Sequence, residues 1–140
     1  QVPLEREVEF VRNYFEIQQL RFADRLSFDL NVDPEVERAC VPTLLLQPLA
    51  ENAVIHGMAN DGDCVRVRLS ARREGAALVI DIENNVGAVG TGSSGYGIGL
   101  GNTRERLTVM FGDRQSVEFV PPKDGVVKTR VRIPYVPLAA

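Results

Sequence analysis

Seven of the sixteen residues from 86 to 101 are glycine: Gly87, Gly90, Gly92, Gly95, Gly97, Gly99 and Gly101. No ordinary connection needs so many. Glycine loses more backbone freedom on folding than any other residue and weakens helix and strand interiors alike. The segment therefore reads as a specialised loop, and it divides the chain into two patterned stretches.

In the stretch before it, Leu4, Val8, Val11, Phe15 and Leu20 recur at steps of three to five, with Tyr14 and Ile17 widening the stripe. This predicts an amphipathic helix over residues 4 to 22 behind a first-turn Pro3. From Leu26 to Val32 the period drops to two, a half-buried strand. Asp33-Pro34 opens a polar connection with room for one helical turn. A second helix is predicted from Pro42 to about His56, with Gly57 as its C-terminal cap. Two strands, Val65 to Leu69 and Ala77 to Ile82, flank a turn at Arg72 to Gly75. Beyond the glycines the pattern predicts a helix from Asn102 to about Phe111. Strands Ser116 to Val120 and Val126 to Pro134 follow, joined by the Pro121 to Gly125 turn. The order α-β-α-β-β-α-β-β predicts an α/β two-layer sandwich, a mixed sheet of about five strands with three main helices on one face.

At 140 residues, with no internal repeat or linker, residues 1–140 read as one domain. A net charge of -3 and a pI near 5.2 weigh against a nucleic-acid partner, which usually leaves a basic footprint. No run of apolar residues approaches the length that spans a bilayer. The N-terminus has neither an initiating Met nor a signal-peptide pattern and enters a helix almost at once, so the chain reads as a segment of a longer protein. Cys40 and Cys64 lack metal-ligand spacing and read as reduced, buried thiols of a cytoplasmic domain.

Three constellations carry chemistry. In LLLQPLAENAVIHG (residues 44–57), helical spacing puts Leu45, Leu49, Asn52 and His56 on one stripe. An Asn there is costly unless satisfied. Either backbone groups bond it, or it faces a pocket where its carbonyl oxygen holds a hard cation such as Mg2+. In DIENN (81–85), Asn84 and Asn85 fall at a sheet end, as an Asn-rich turn or as amides bonding a purine edge. In GYGIGLGNTRERL (95–107), glycines lead into a helix N-terminus, where free N–H groups favour phosphate. The plainer alternative is a flexible loop before a helix capped by Asn102 and Glu105. Neither a Rossmann fingerprint nor a P-loop fits: the glycines run G-x-G-x-G-x-G, and no Walker lysine follows.

Taken in order, these three runs resemble the N, G1 and G2 boxes of the GHKL (Bergerat-fold) ATPases, and most closely the catalytic domain of LytS-type sensor histidine kinases. The Tyr14 to Phe22 stretch is similar too, so the resemblance covers nearly the whole chain. It implies ATP and Mg2+ as cofactors, with Asn52 holding the metal and Glu51 beside it as a second catalytic candidate. Gly97, Gly99 and Gly101 would form a mobile lid over the phosphates, with Ile98, Leu100 and Asn102 among them. Asn84, Asn85, Gly87 and Thr129 would line the base. Residues 87 to 100 would be the most mobile of an unliganded fragment.

The chain departs from the family pattern at three places. Asn84 stands where an Asp is common, Val86 replaces a glycine, and Val127 falls where a Gly-Thr pair often occurs. No Glu precedes Asn52 by four residues (Pro48 is there), which favours transfer to a side chain over hydrolysis of ATP. The implied partners are the protein's own dimerisation and phosphoacceptor domain, which would carry the acceptor His, and a cognate response regulator. The parent protein would be a membrane-anchored sensor. The departures also motivate an alternative, a degenerate domain acting as a non-catalytic interaction module.

Overall fold

The computed structural model describes residues 1–57, 64–85, 96–123 and 125–138, with backbone alone for His56, residues 96–100 and residues 121–123. A short strand β1 (Val2–Pro3) leads into helix α1 (Leu4–Phe22). Strand β2 (Leu26–Val32) follows, then β3 (Cys40–Val41) and helix α2 (Leu46–Gly57). Strands β4 (Val65–Glu74) and β5 (Ala77–Asn85) precede helix α3 (Tyr96–Phe111), and β6 (Ser116–Lys123) and β7 (Val126–Pro134) close the chain.

Five strands form one sheet in the order β2-β4-β5-β7-β6, and β1 pairs with β3 apart from it. β2 runs parallel to β4 with Leu26 opposite Val65, and the other pairs are antiparallel, so the sheet is mixed as the pattern predicts. Strand alternation decides its two faces. Leu78, Ile80 and Ile82 of β5 and Val127, Val131 and Ile133 of β7 are buried, with the three helices packed over that face. The opposite face carries the alternate residues Asp81 and Glu83 of β5 and Lys128 and Arg130 of β7, with Arg68 of β4 beside Glu83. There Asp81 is buried between two arginines, accepting hydrogen bonds from Arg130 (2.8 Å) and Arg72 (3.0 Å). Burial alone would raise the Asp81 carboxyl, but these bonds outweigh it and hold the group below its ordinary range.

The helical stripe of α1 is narrower than predicted. Leu4, Val8, Val11 and Phe15 are buried, and Phe15 stacks on Phe28 of β2 with ring centroids 4.9 Å apart. Leu20, by contrast, is 87% exposed and Ile17 is exposed as well. A step of five from Phe15 carries Leu20 well off a stripe of period 3.6. The face that Leu20 leaves is used by Gln19, whose amide donates to the Leu26 carbonyl (3.1 Å). Cys64 also departs from expectation: it is exposed and Cys40 only half-buried, and both are free thiols.

Helix α2 begins at Leu46 and not at Pro42. The intervening turn places Leu44 at φ 61°, which ends any helix running in from Pro42. Gly57 is the last helical residue and does not have the left-handed φ of a glycine cap. It is needed for close approach instead: a Cβ there would sit 2.5 Å from Val65 Cγ1.

Candidate functional site

That contact fixes the site's location. The C-terminal end of α2 lies against the start of β4, and two residues on Val67 of β4 pairs with Asn84 at the end of β5. The helix carrying Asn52 and the polar strand end predicted with it therefore meet at one end of the sheet.

Asn52 is half-buried on α2, and among the described residues no hydrogen-bond partner takes up its amide. Of the two readings open for this residue, the described residues offer no backbone bond of the kind a core amide needs. Glu51 is half-buried too, but its carboxylate accepts from the Gln47 amide (3.2 Å) and its charge bears on Tyr14 of α1. Burial raises the Tyr14 hydroxyl first and Glu51 raises it further, with Arg21 opposing. Among the described residues, Glu51 is thereby bonded within its own helix.

The adjacent amides at the end of β5 have separate duties. Asn85 is engaged at both ends: its Oδ1 accepts from the Arg66 N–H (2.6 Å), and its Nδ2 donates to the Cys64 carbonyl (2.8 Å). It replaces a peptide group and continues the β4–β5 ladder past its last backbone pair. Asn84 is 4% exposed on the helix-facing side, where Nδ2 donates to the Asn85 carbonyl (3.1 Å). That bond fixes the amide's orientation, and no described residue donates to Asn84 Oδ1. Thr129 is buried on the same face of neighbouring β7, opposite Ile82.

Helix α3 starts at Tyr96, six residues before the predicted Asn102. Gly97, Ile98, Gly99, Leu100 and Gly101 are therefore its first turns, and not a segment separate from the helix. Asn102 lies in the helix interior and is exposed, so it cannot form the predicted capping box with Glu105. Only the first four N–H groups of a helix lack an internal partner. Here those belong to Tyr96, Gly97, Ile98 and Gly99, while the N–H groups of Gly101 and Asn102 fall within the helical ladder. Gly87 and Val86 lie outside the described residues, as do the positions 87–95 expected to be mobile.

A cleft of about 370 Å3 also opens near the end of β5, lined by Ser27, Asp29, Arg66, Arg68 and Glu83 together with Asn84, Asn85 and Val126. Most of these side chains stand on the face away from the helices. Arg68 lies within 4 Å of both Asp29 (3.6 Å) and Glu83 (3.9 Å), so its charge is already balanced. This cleft does not include Asn52.

Two residues that the sequence reading missed organise the turn before α2. Glu7 of α1 is 2% exposed, and its carboxylate accepts from the N–H groups of Leu44 (3.1 Å), Leu45 (2.8 Å) and Leu46 (3.3 Å). Arg106 of α3 donates to the carbonyls of Thr43 (2.6 Å) and Leu44 (3.3 Å). One sequence signal was available: no Ser, Thr, Asp or Asn stands at the cap position before Leu46, so a cap from elsewhere was required.

Solved structures share this architecture. The nucleotide-free catalytic domain of histidine kinase ThkA matches with a TM-score of 0.71 at 15% identity, over 97% of each chain. ThkA crystallised in complex with the response regulator protein TrrA matches at 0.69 and 16% identity, over 96% of this chain and 41% of that one. Three helices on one face of a mixed sheet are thus the fold of a histidine-kinase catalytic domain. Sequence relatives sharpen this. Sensor histidine kinase BtsS of Escherichia coli is 34% identical over 96% of the chain, and sensor histidine kinase YesM of Bacillus subtilis 37% over 80%. The family model described as histidine kinase matches residues 1–26, which cover α1. The chain belongs to the sensor histidine kinases. It spans 24% of the length of BtsS and 20% of YesM.

Proposed function

We propose that residues 1–140 are the ATP-binding catalytic domain of a protein-histidine kinase, presenting the γ-phosphate of Mg-ATP to an acceptor His outside this chain. The observation that carries this reading is the pair of amide oxygens, Asn52 on α2 and Asn84 Oδ1 on β5, at the same end of the sheet, to which no side chain or backbone group among the described residues donates. Asn84 Oδ1 is available to accept from the amino group of adenine. Its neutral acceptor makes a weaker bond there than a carboxylate would. Thr129 adds a hydroxyl on the same face.

Asn52 suits Mg2+, which prefers oxygen donors, keeps several waters and shares its shell with phosphates. Among the described residues no group of three acidic, His or Cys side chains could hold a metal, so the remaining ligands would come from the triphosphate and water. The metal would supply neutralisation of phosphate charge. The free N–H groups from Tyr96 to Gly99 would face the phosphates, favoured by the helix dipole. Phosphoryl transfer asks mainly for positioning and charge compensation, which such a site provides without a general base for water. Glu51, bonded to Gln47, is then a supporting residue of α2. The phosphoacceptor and dimerisation domain and a response regulator would complete the reaction, with the acceptor passing the phosphoryl group to an Asp. Among the described residues no helix is long and apolar enough to cross a membrane. A membrane anchor, if the parent has one, would lie elsewhere in it.

Calorimetric titration with ATP, with and without Mg2+, tests this reading. Saturable binding that needs Mg2+ and weakens about tenfold or more in Asn52→Ala is the expected result. No binding up to several millimolar would replace the kinase reading with that of a non-catalytic interaction module.

A further inference from the structure

Helix starts are normally closed by their own sequence, through a polar side chain at the cap position. α2 has Leu45 there, apolar and buried, and takes its cap from Glu7, 38 residues away on another helix. The carbonyls of the same turn are held by Arg106, 62 and 63 residues away on α3. Leu44, between them, has its N–H on Glu7 and its C=O on Arg106, in a left-handed conformation that a leucine does not choose for itself. The three helices thus meet at four residues.

We propose that Glu7 and Arg106 are positioning residues of the nucleotide site, a two-sided clamp through which the placement of α1 sets where α2 presents Asn52. The proposal rests on the Mg-ATP reading of Asn52 given above. Asn52 lies six residues beyond Leu46, about 9 Å along a rigid helix, so a shift or rotation of the first turn carries directly to it. The start of α1 is itself anchored: Leu4 N–H donates to Ala39 (2.8 Å) and Glu5 N–H to Glu37 (2.9 Å), and Val2 pairs with Val41. Glu7 follows within the first turn of that anchored helix. Among the described residues no cation pairs with its carboxylate, so its geometry is set by the three N–H groups alone. Arg106 brings in α3, the helix whose first turn would face the phosphates.

The test uses this 140-residue chain and the variants Glu7→Gln, Arg106→Gln and the double substitution, titrated with ATP in the presence and absence of Mg2+. Amide hydrogen exchange is measured on the same nucleotide-free samples. Glu7→Gln is expected to weaken Mg-ATP about fivefold or more while changing Mg-free ATP less than about twofold, because the displaced group is the metal-side Asn52. Exchange should quicken along α2 as far as Asn52. Arg106→Gln should act in the same direction, and the double variant should lose less than the product of the single losses. Equal weakening with and without Mg2+, or unchanged affinity with faster exchange confined to residues 44–46, would overturn the proposal and leave a plain helix cap. Should Glu7→Gln not fold, the exposed Arg106→Gln decides alone, and an unchanged Mg2+ dependence overturns the proposal. A wild-type chain that binds no ATP would sink the functional reading and this proposal together. Binding by the wild type that the variants leave unaltered would sink the proposal only.

Discussion

The starts of α2 and α3 present the same backbone problem, and the protein treats them oppositely. Both expose N–H groups that no helix can satisfy internally. At α2 these point at Glu7, a buried carboxylate from another helix, and the turn is completed by Arg106. At α3 the first turn contains Gly97 and Gly99. A closed start holds a helix in place. A start built of glycine keeps its backbone approachable from outside, at a cost in helix propensity. On the Mg-ATP reading proposed above, the contrast would separate the part of the site that must be rigid from the part that meets the phosphates.

Removing the closure should have the largest effect. Glu7→Ala leaves three N–H groups without their partner and empties buried space, and urea denaturation should show a loss of about 3 kcal/mol or more. If stability barely changes, water caps α2 as well as Glu7 does and the contrast dissolves.

A second buried carboxylate, Asp81 on the open face, offers a control with different chemistry, since charged guanidinium groups satisfy it. Its pKa is lowered in the folded state: burial raises it, and the bonds from Arg130 and Arg72 more than reverse this. A depressed carboxyl stabilises the fold above its unfolded pKa of about 3.9, and the gain is lost as pH falls through the lower folded value. Asp81→Asn should therefore cost about 1–2 kcal/mol at neutral pH and flatten the fall in stability below about pH 4, measured by denaturation across pH. Because Arg72 and Arg130 still reach water, this loss should be smaller than that of Glu7→Ala. An equal loss would mean that the two carboxylates are held alike.

The smallest effect should have the opposite sign. Gly97→Ala places a better helix former in α3 and should raise stability by up to about 1 kcal/mol, while Mg-ATP binding by the same variant weakens. Stabilisation with intact binding would show that the α3 start needs no glycine for its ligand.

The pattern of hydrophobic residues carried the order of the elements and the mixed sheet, because strand alternation and helical stripes are local. It also placed Asn52 and Asn84 on the elements where they are found. What it could not carry was anything set by a partner distant in sequence. Glu7 reads as one more acid in a charged first turn until the turn at Leu44 arrives from 37 residues away. Pro42 reads as a helix start because nothing nearby announces the left-handed Leu44. Gly57 reads as a cap, although its reason is the side chain of Val65. The early start of α3 was hidden for the reverse reason: four glycines in seven residues score poorly as helix, and tertiary context overrides propensity. Asn85 resembles Asn84 in every local respect, and only the ladder shows that Asn85 spends both ends of its amide on β4, while no described residue donates to Asn84 Oδ1.

The segment from Glu35 to Val41 has a further consequence, for the order of assembly. It is bonded on one side to residues 2–5 and on the other to the last described residues, with Cys40 N–H on Val136, Leu138 N–H on Arg38 and the Tyr135 hydroxyl on the Glu35 carbonyl. The last of these closes a loop of 100 residues. Its chain entropy is repaid only after the strands between have paired. The seam joining the two ends of the domain is therefore expected to knit late in folding. The entry to α1 should firm up only after the sheet beneath it has formed.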